Sequence, residues 1–381
     1  MRYHGLMQTF DVAIAGGGLI GATVAFELAQ AGLRVAIFDR QQPGEGASWA
    51  AAGILSPAPE NAGMIATVPL GRASLALYPD FVGSIEEHSG LNVGYRPRGT
   101  LESIFSNDAQ AALNTIIALH HGLGLRAEPL SAEDAREMEP ALSKDLEAAV
   151  LRPDEASVDN RALTRAVFLA AERAGVTFFT DRRVTGIRRE AARCSGLIFD
   201  NGEAEARWTI IAAGCHSAEI QDAASYVPVR PAKGQMIALR ANDLNVERVL
   251  WSESAYLVPR NDGRIVAGAT VEYVGFDTSL TAGGLQQILA GALELAPGLA
   301  NASVEETWAG LRPDSPDHLP IIGPTDLEGL LIASGHFRSG ILLAPITARL
   351  IREWITKSSV SADWGRFSPM RFVETAKATN L

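Results

Sequence analysis

One stretch near the N-terminus constrains the fold more than any other feature of the chain. Residues 11–40 read DVAIAGGGLIGATVAFELAQAGLRVAIFDR: a short apolar run, a glycine-rich turn, a helical apolar pattern and a second apolar run. This order predicts strand, turn, helix, strand. Gly16, Gly18 and Gly21 follow the first strand as G-x-G-x-x-G. That spacing allows a tight turn, a close approach of backbone to a pyrophosphate, and close packing of helix on sheet.

An acidic residue closes the same unit. Asp39 lies 18 residues beyond Gly21, near the ~20 at which an acid bonds a ribose hydroxyl. An acid here favours a ribose with a free 2′-OH, so we expect NAD or FAD rather than NADP. The alternatives are an ordinary tight turn and, since residues 12–28 are apolar, a membrane span. The consecutive glycines and the charged Asp11 and Glu27 favour a buried strand and helix instead.

Charge and cysteine content narrow the class of protein. The chain has 381 residues, 47% hydrophobic, and a formal charge of −11, which argues against nucleic acid or an anionic membrane as a partner. Its two cysteines, Cys194 and Cys215, form no CxxC pair, so we expect a cytoplasmic setting and no disulfide framework. The first ten residues carry no export signal. None of the seven histidines suggests a catalytic or metal-ligand role, and we predict structural roles for His318 and His336.

Three later segments favour FAD over NAD. GEGASWAAAG (residues 44–53) is rich in small residues, as needed where backbone crowds a large ligand. ARWTIIAAGCHS (206–217) reads as a late apolar strand ending in Ala-Ala-Gly. SGHFRSGILLAP (334–345) leads into a helix that we expect to begin near Ile341 and to point its positive end at a reduced flavin ring. Each segment has an alternative interpretation. Residues 44–53 could be a flexible loop, residues 206–217 another core strand, and residues 334–345 the start of an ordinary C-terminal helix.

Two arginines stand in mostly apolar surroundings. Arg312 lies in WAGLRPDSPDHLPIIGP and Arg338 in SGHFRSGILLAP. A buried guanidinium without a partner is costly, so either carboxylates of the protein or a ligand must satisfy each one.

Together these segments resemble the D-amino acid oxidase superfamily of FAD flavoenzymes over residues 10–356, and are most similar to its glycine oxidases of bacterial thiamine (thiazole) biosynthesis. The resemblance implies an α/β fold, α+β overall, with a Rossmann-type FAD-binding domain and an inserted, mainly antiparallel substrate domain. We place residues 7–85, 152–222 and 313–356 in the first, 86–151 and 223–312 in the second, and 357–381 in a C-terminal tail. A hairpin is expected at the Asn261–Gly263 turn.

The resemblance also implies roles for single residues. Arg312 would hold a substrate carboxylate, for which a planar guanidinium is suited, and Tyr256 would donate to it. Arg338 would tune charge beside the flavin or brace its turn. Cofactor contacts would come from Gly16, Gly18, Leu19, Ile20, Gly21, Asp39, Arg40, Ala47, Ser48, Ala51, Ala52, Gly53, Val184, Ala213, Gly214, Gly335, Arg338, Gly340, Ile341 and Leu342. Because no cysteine follows Cys215, we expect FAD to be bound without a covalent link.

The expected activity is oxidation of glycine or another small amine by FAD and O2, in a homo-oligomer, a tetramer in the resembling enzymes. Related glycine oxidases often carry methionine where this chain has Ile54 and Val271, and a histidine can occur at the position of Ser254. Sarcosine and small D-amino acids therefore remain alternative substrates. A quinone-linked D-amino acid dehydrogenase, a flavin-binding protein without turnover and a nicotinamide dehydrogenase are the other candidates.

Overall fold

The structure is a computed structural model that describes residues 9–106, 108–241, 243–357 and 362–373. Eighteen strands and eight α-helices lie in this part of the chain. The strands are β1 (Thr9–Ala15), β2 (Val35–Phe38), β3 (Ile54–Leu55), β4 (Thr100–Ile104), β5 (Glu128–Ser131), β6 (Ala148–Arg152), β7 (Ala156–Ser157), β8 (Thr177–Phe179), β9 (Val184–Glu190), β10 (Arg193–Phe199), β11 (Gly202–Ile211), β12 (Arg230–Arg240), β13 (Val249–Trp251), β14 (Tyr256–Pro259), β15 (Arg264–Gly268), β16 (Ser303–Asp314), β17 (Ile321–Pro324) and β18 (Leu330–Ser334).

The helices alternate with these strands. They are α1 (Leu19–Gln30), α2 (Ala47–Ala50), α3 (Val68–Ser89), α4 (Ala109–Gly122), α5 (Ala132–Met138), α6 (Asn160–Arg173), α7 (Ala282–Leu295) and α8 (Gly340–Lys357). Short 3-10 helices lie at Ala62–Thr67, Gly214–Glu219, Ala224–Tyr226, Pro297–Asn301 and Ala362–Phe367. None of the described helices combines the length and apolarity needed to cross a bilayer.

The first sheet has the order β17-β18-β11-β1-β2-β8, with β10 paired to β11 and β9 to β10. β18, β11, β1, β2 and β8 run parallel, while β17, β10 and β9 are antiparallel additions. The last four residues of β1 and all of β2 are buried because helices cover one face of the sheet and side chains of β9, β10 and β11 pack on the other. The side chains of α1, α3, α6 and α8 form one apolar core with that face. The predicted strand, turn, helix, strand order at residues 11–40 is confirmed.

The second sheet has the order β16-β12-β15-β14-β13-β4-β6-β5, and its neighbours are antiparallel except for β13 and β4. Apolar side chains of α5 and α7 cover one face. The expected hairpin is present between β14 and β15, where Arg260 N donates to Arg264 O at 2.8 Å and Gly263 has a φ of 84°. The other face of this sheet is turned toward the carboxyl ends of the first.

The strands of the first sheet come from residues 9–38, 177–211 and 321–334, and those of the second from 100–152 and 230–314. The mixed α/β architecture agrees with the predicted fold class. The limits of the two domains stay a prediction. Residues 7 and 8 of the first predicted segment, and residues 358–361 and 374–381 of the predicted tail, lie outside the described residues.

Candidate functional site

A cavity of about 810 Å³ lies between the carboxyl ends of the parallel strands and the second sheet. Residues at or just after the ends of β1, β2, β11 and β18 line it, among them Gly16, Asp39, Ala213 and Ser334. Met236, Tyr256 and Arg312 line it from the second sheet. Ligands of open α/β sheets bind outside the carboxyl ends of the strands, so this cavity is the candidate functional site.

The glycine turn after β1 has no room for side chains. Gly16 has a φ of 106°, and a Cβ there would overlap the backbone of Ala212. Gly18 lines the cavity and immediately precedes α1. A Cβ on Gly21 would overlap the carbonyl oxygen of Gly16, so the third glycine lets the helix pack on the turn. Gly21, which we predicted as a cofactor contact, does not line the cavity.

Polar groups gather near the end of β2. The Asp39 carboxylate accepts hydrogen bonds from Gly17 N at 2.6 Å and Gln41 N at 2.9 Å. Arg40 Nη1 lies 3.2 Å from His216 Nδ1. Burial lowers the pKa of His216, against the opposing hydrogen bond of Glu219. Asp39, Arg40 and His216 all line the cavity, so this end carries an acid and a base that could bond ribose hydroxyls and phosphates.

The small-residue loop at 44–53 is held from several sides. Ser48 Oγ accepts from Leu19 N, the first residue of α1, at 2.9 Å. Asn160 Nδ2 donates to the carbonyl oxygens of Ser48 and Trp49 at 2.8 and 2.9 Å. The buried Arg260 donates through Nη2 to Ala52 O at 2.8 Å. These hydrogen bonds hold Ser48, Trp49 and Ala52 in the wall of the cavity.

The C-terminal turn brings a second helix start to the cavity. α8 begins at Gly340, one residue before the predicted position. Its first turn is fixed because Tyr78 donates to Ile341 O and Ser74 donates to Leu342 O, each at 2.5 Å. Gly335, with a φ of 68°, does not line the cavity; a Cβ there would meet the Ile321 side chain.

Most predicted cofactor residues do meet in one place. Those that line the cavity are Gly16, Gly18, Leu19, Ile20, Asp39, Arg40, Ala47, Ser48, Ala51, Ala52, Gly53, Val184, Ala213, Gly214, Arg338, Gly340, Ile341 and Leu342. They come from six separate stretches of the chain, which meet at the carboxyl edge of the first sheet.

Arg312 and Tyr256 lie at the other end of the cavity. Arg312 Nη1 donates to Thr270 O at 3.1 Å, and its guanidinium lies where a Cβ of Gly234 would be. The Tyr256 hydroxyl lies 3.3 Å from Met236 Sδ. Burial raises the pKa of Tyr256, against the opposing effect of the nearby Arg312. At neutral pH, Tyr256 is thus a hydrogen-bond donor beside a fixed cation.

Arg338 has an acidic partner. It forms an ion pair with Glu60, and both residues line the cavity. Burial lowers the pKa of Arg338 to about 10, which still leaves it charged at neutral pH. No local pattern indicates this partner, since Glu60 lies far from Arg338 along the chain, in a loop without a recognisable motif.

The two motif histidines differ in their surroundings. His336 lines the cavity, and its Nε2 lies 3.0 Å from Thr347 Oγ1. Burial lowers its pKa to about 3, so the ring is neutral at physiological pH. His318 Nδ1 lies 2.7 Å from Asp314 Oδ1. Among the described residues, no group of three or more His, Cys, Asp or Glu could hold a metal ion.

Of the three positions that differ from the resembling enzymes, one lines the cavity and two do not. Ile54 lines the cavity, whereas Val271 and Ser254 are exposed and do not. Sequence reasoning missed Met236 and Trp251, which also line the substrate end. Both lie in apolar strands, where the sequence pattern does not distinguish a residue that lines a cavity from one that is packed in the core.

The residues present fit FAD. Side-chain-free glycines stand where α1 and α8 begin at the cavity, so two positive helix ends can approach negative or electron-rich parts of a ligand. Asp39 lies at one end for ribose hydroxyls, and Arg312 lies at the other. One cavity of about 810 Å³, lined from both sheets, can hold a dinucleotide together with a small anionic substrate.

Comparisons with known proteins agree with this geometry. Residues 11–354 match the DAO family of FAD dependent oxidoreductases. The bifunctional protein ThiO/ThiG of Trichormus variabilis is 36% identical over 378 residues, 98% of this chain and 57% of that protein. The glycine oxidase of Geobacillus kaustophilus is 32% identical over 374 residues, 97% of this chain and 98% of that enzyme. A crystal structure of glycine oxidase from Geobacillus kaustophilus is similar with a TM-score of 0.88 and 33% identity, covering 94% of this chain and 98% of that one.

The chain spans little more than half the length of the bifunctional proteins that it matches, but nearly the full length of the single glycine oxidase. The family match covers both sheets and all the segments that line the cavity. This chain belongs to the DAO family of FAD-dependent oxidoreductases.

Proposed function

We propose that this chain is a glycine oxidase that converts glycine, O2 and water to glyoxylate, ammonia and H2O2. The observation that carries the proposal is the fixed guanidinium of Arg312 beside the Tyr256 hydroxyl, in the same cavity as the dinucleotide residues. A guanidinium can donate two parallel hydrogen bonds to a carboxylate, which fixes orientation as well as charge. The substrate carboxylate would be bound here.

Bound FAD supplies the hydride acceptor at N5 and, through its reoxidation, the reduction of O2. The residues of the chain need only orient the α-carbon and favour a neutral amine. Arg312 and Tyr256 orient the carboxylate. His336, whose pKa burial lowers to about 3, is uncharged at neutral pH. No side-chain base is required, because the α-hydrogen of a neutral amine leaves as hydride and not as a proton. The released imine then hydrolyses in water.

The substrate end favours small amines. Ile54, Met236 and Trp251 line it, and their bulk limits what can extend from the α-carbon. A difference of one methylene changes preference by only about 1–3 kcal/mol, so sarcosine and small D-amino acids stay candidate substrates. A quinone-linked D-amino acid dehydrogenase with the same site is the alternative function.

We infer that FAD is held without a covalent bond. Cys215 lines the cavity, but burial raises its thiol pKa to about 12, and Cys194 does not line it. A thiol that stays protonated is a poor nucleophile for attachment to the flavin. Acid precipitation should leave all of the flavin in the supernatant.

We also propose a pathway, a location and an oligomeric state for the enzyme. The resemblance to glycine oxidases of thiamine biosynthesis favours a role in thiazole formation. Both cysteines are free and buried, which is compatible with a cytoplasmic location. Self-association, as a tetramer in the resembling enzymes, can be measured by light scattering of the holoenzyme.

The testing experiment is peroxide release by the purified yellow protein with glycine, sarcosine, D-alanine and D-proline. Peroxide with glycine supports the proposal, and the rates rank the substrates. Flavin bleaching by these amines without peroxide, together with reduction of a soluble quinone, would favour the dehydrogenase. No bleaching with any of them would overturn the proposal.

A further inference from the structure

A buried lysine lies next to the arginine pocket. Lys233 in β12 has a side chain only 1% exposed, and its Nζ lies 3.0 Å from Glu272 Oε2. Nζ also donates to Ser279 O at 3.1 Å. Because a buried charge without a partner is strongly destabilising, these contacts tie the position of Lys233 to Glu272 and to the backbone at Ser279. Lys233 does not line the cavity and cannot contact a substrate in it.

Glu272 connects this lysine to other groups. Its Oε1 accepts hydrogen bonds from the Thr270 hydroxyl at 2.6 Å and from Gln235 Nε2 at 2.8 Å. Burial raises the pKa of Glu272, but the hydrogen bonds of Thr270, Gln235 and Lys233 outweigh this, so the pKa is lowered. The carboxylate is therefore ionised and accepts from three donors at once.

Thr270 connects the Glu272 carboxylate to Arg312. Its hydroxyl accepts from Gln235 N at 3.0 Å, and its carbonyl oxygen accepts from Arg312 Nη1 at 3.1 Å. The Arg312 guanidinium lies against Gly234, between Lys233 and Gln235 in β12. The position of Thr270 thus determines where one nitrogen of the guanidinium lies.

The segment of residues 270–281, which we term the strap, is fixed at both ends. Lys233 and Glu272 exchange backbone hydrogen bonds of 2.8 and 2.9 Å. At the far end, Thr281 N donates to Gln235 Oε1 at 2.9 Å. Between them Thr278 lines the cavity. β12 therefore holds the strap through Lys233 and Gln235, on either side of the glycine that Arg312 covers.

We propose that Lys233, Glu272 and Thr270 are positioning residues that hold Arg312 in the orientation required to bind the substrate carboxylate. The inference rests on the proposed function, since it assigns these residues to the carboxylate site. Two parallel hydrogen bonds demand a narrow range of guanidinium angles, and such ranges are kept by buried supporting hydrogen bonds. The three residues act through Arg312 and the strap, without contact to the substrate.

The test uses paired substitutions of Thr270 in the FAD-loaded enzyme. Thr270→Val removes the hydroxyl at nearly constant shape, and Thr270→Ser retains it. Acetate is the probe, since it offers the carboxylate without an oxidisable amine, and its Kd is read from the flavin absorbance. We expect acetate to bind about threefold to tenfold more weakly in Thr270→Val and nearly unchanged in Thr270→Ser. The KM for glycine should rise in parallel, with a smaller change in kcat.

Glu272→Gln tests the charged centre of the group, and Glu305→Gln is its matched control. Glu305 of β16 also pairs with a cation of β12, Arg240, but neither residue lines the cavity. We expect Glu272→Gln to weaken acetate about tenfold or more, and Glu305→Gln to leave it unchanged. A merely structural role would lower Tm or flavin content without altering the Kd for acetate.

Arg312→Lys in the same series separates the two proposals. If it weakens acetate while Thr270→Val and Glu272→Gln do not, the positioning role is wrong and the carboxylate site stands. If it leaves acetate binding unchanged, the carboxylate site is wrong and the positioning role is overturned with it. Should Glu272→Gln fail to fold, the Thr270 pair decides the outcome.

Discussion

The two ends of the cavity are built by different means. At the cofactor end, most of the contact surface is backbone, namely the glycines at 16 and 18, the start of α1 and a loop held against it, with Asp39 and Arg40 beside them. At the substrate end, it depends on charged side chains from one sheet, with Arg312 supported by the strap. The glycine turn at the first end therefore tolerates no added side-chain atoms, whereas the second end depends on the orientation of a few charged groups.

The largest effect is expected at the backbone end, from Gly16→Ala. A Cβ there would overlap the Ala212 backbone, and the φ of 106° is unfavourable for alanine. We expect loss of bound flavin and a protein that folds poorly. The measurement is the ratio of absorbance at the flavin and protein bands after purification, with Tm.

Gly32→Ala is the control for that experiment. Gly32 also has a positive φ, 83°, but nothing lies within 4 Å of an added Cβ. The Gly32→Ala variant should lose only about 1–2 kcal/mol of unfolding free energy, from backbone strain alone, and should retain its full flavin content. Equal flavin content in the two variants would show that close approach at Gly16 does not matter, and the contrast between the two ends would fail.

At the charged end, Arg312→Ala should act in the opposite way. We expect full flavin content but a loss of kcat/KM for glycine of about 100-fold or more, because charge-assisted hydrogen bonds to the carboxylate are lost. Steady-state peroxide release and the flavin spectrum provide both readouts. Loss of flavin together with activity would instead assign Arg312 a structural role.

A third prediction concerns His336, at the cofactor end. Burial lowers its pKa from 6.5 to about 3 in the folded protein. Between these two pH values the His336 ring is protonated in the unfolded chain but neutral in the folded chain. The folded state therefore loses stability as the pH falls below about 6.5. The free energy of unfolding should fall by about 1.4 kcal/mol per pH unit from this group, or about 2 kcal/mol by pH 5.

Urea unfolding at pH 7 and pH 5 measures this loss, in the wild type and in His336→Gln. His336→Gln should reduce the difference in unfolding free energy between pH 7 and pH 5, whatever its effect on stability at pH 7. The exposed His121 supplies the control, since His121→Gln should leave the wild-type slope. An unchanged slope in His336→Gln would mean that the buried ring titrates normally.

Sequence patterns differ in how well they predicted the two ends. The cofactor end was predictable because its signals are consecutive: Gly16, Gly18 and Gly21 stand at fixed spacing after an apolar run. At the substrate end, Arg312 could be found because it interrupts an apolar segment. Lys233 interrupts the apolar strand RPAKGQMIALR in the same way, but its partner Glu272 and the strap give no periodic signal.

Pairings between distant segments account for most of what was missed. The ion pair of Arg338 with Glu60 joins the C-terminal turn to an early loop. The buried Arg152 pairs with Glu102 across neighbouring strands, β6 and β4. Such contacts follow from which strands are neighbours in the sheet, and strand order is not encoded in any local pattern.

The smallest effect is expected at the charged end, from Tyr256→Phe. The hydroxyl lies 3.3 Å from Met236 Sδ and close to Arg312, whose charge opposes the rise in the tyrosine pKa caused by burial. Removing one neutral donor should weaken glycine and acetate by about tenfold or less, far below the effect of Arg312→Ala. The measurement is KM for glycine and Kd for acetate, with Tyr226→Phe as control because Tyr226 pairs with Asp326 outside the cavity. If Tyr256→Phe lowered kcat while the acetate Kd stayed constant, the hydroxyl would act on the reacting amine and α-carbon, and the charge of Arg312 alone would hold the carboxylate.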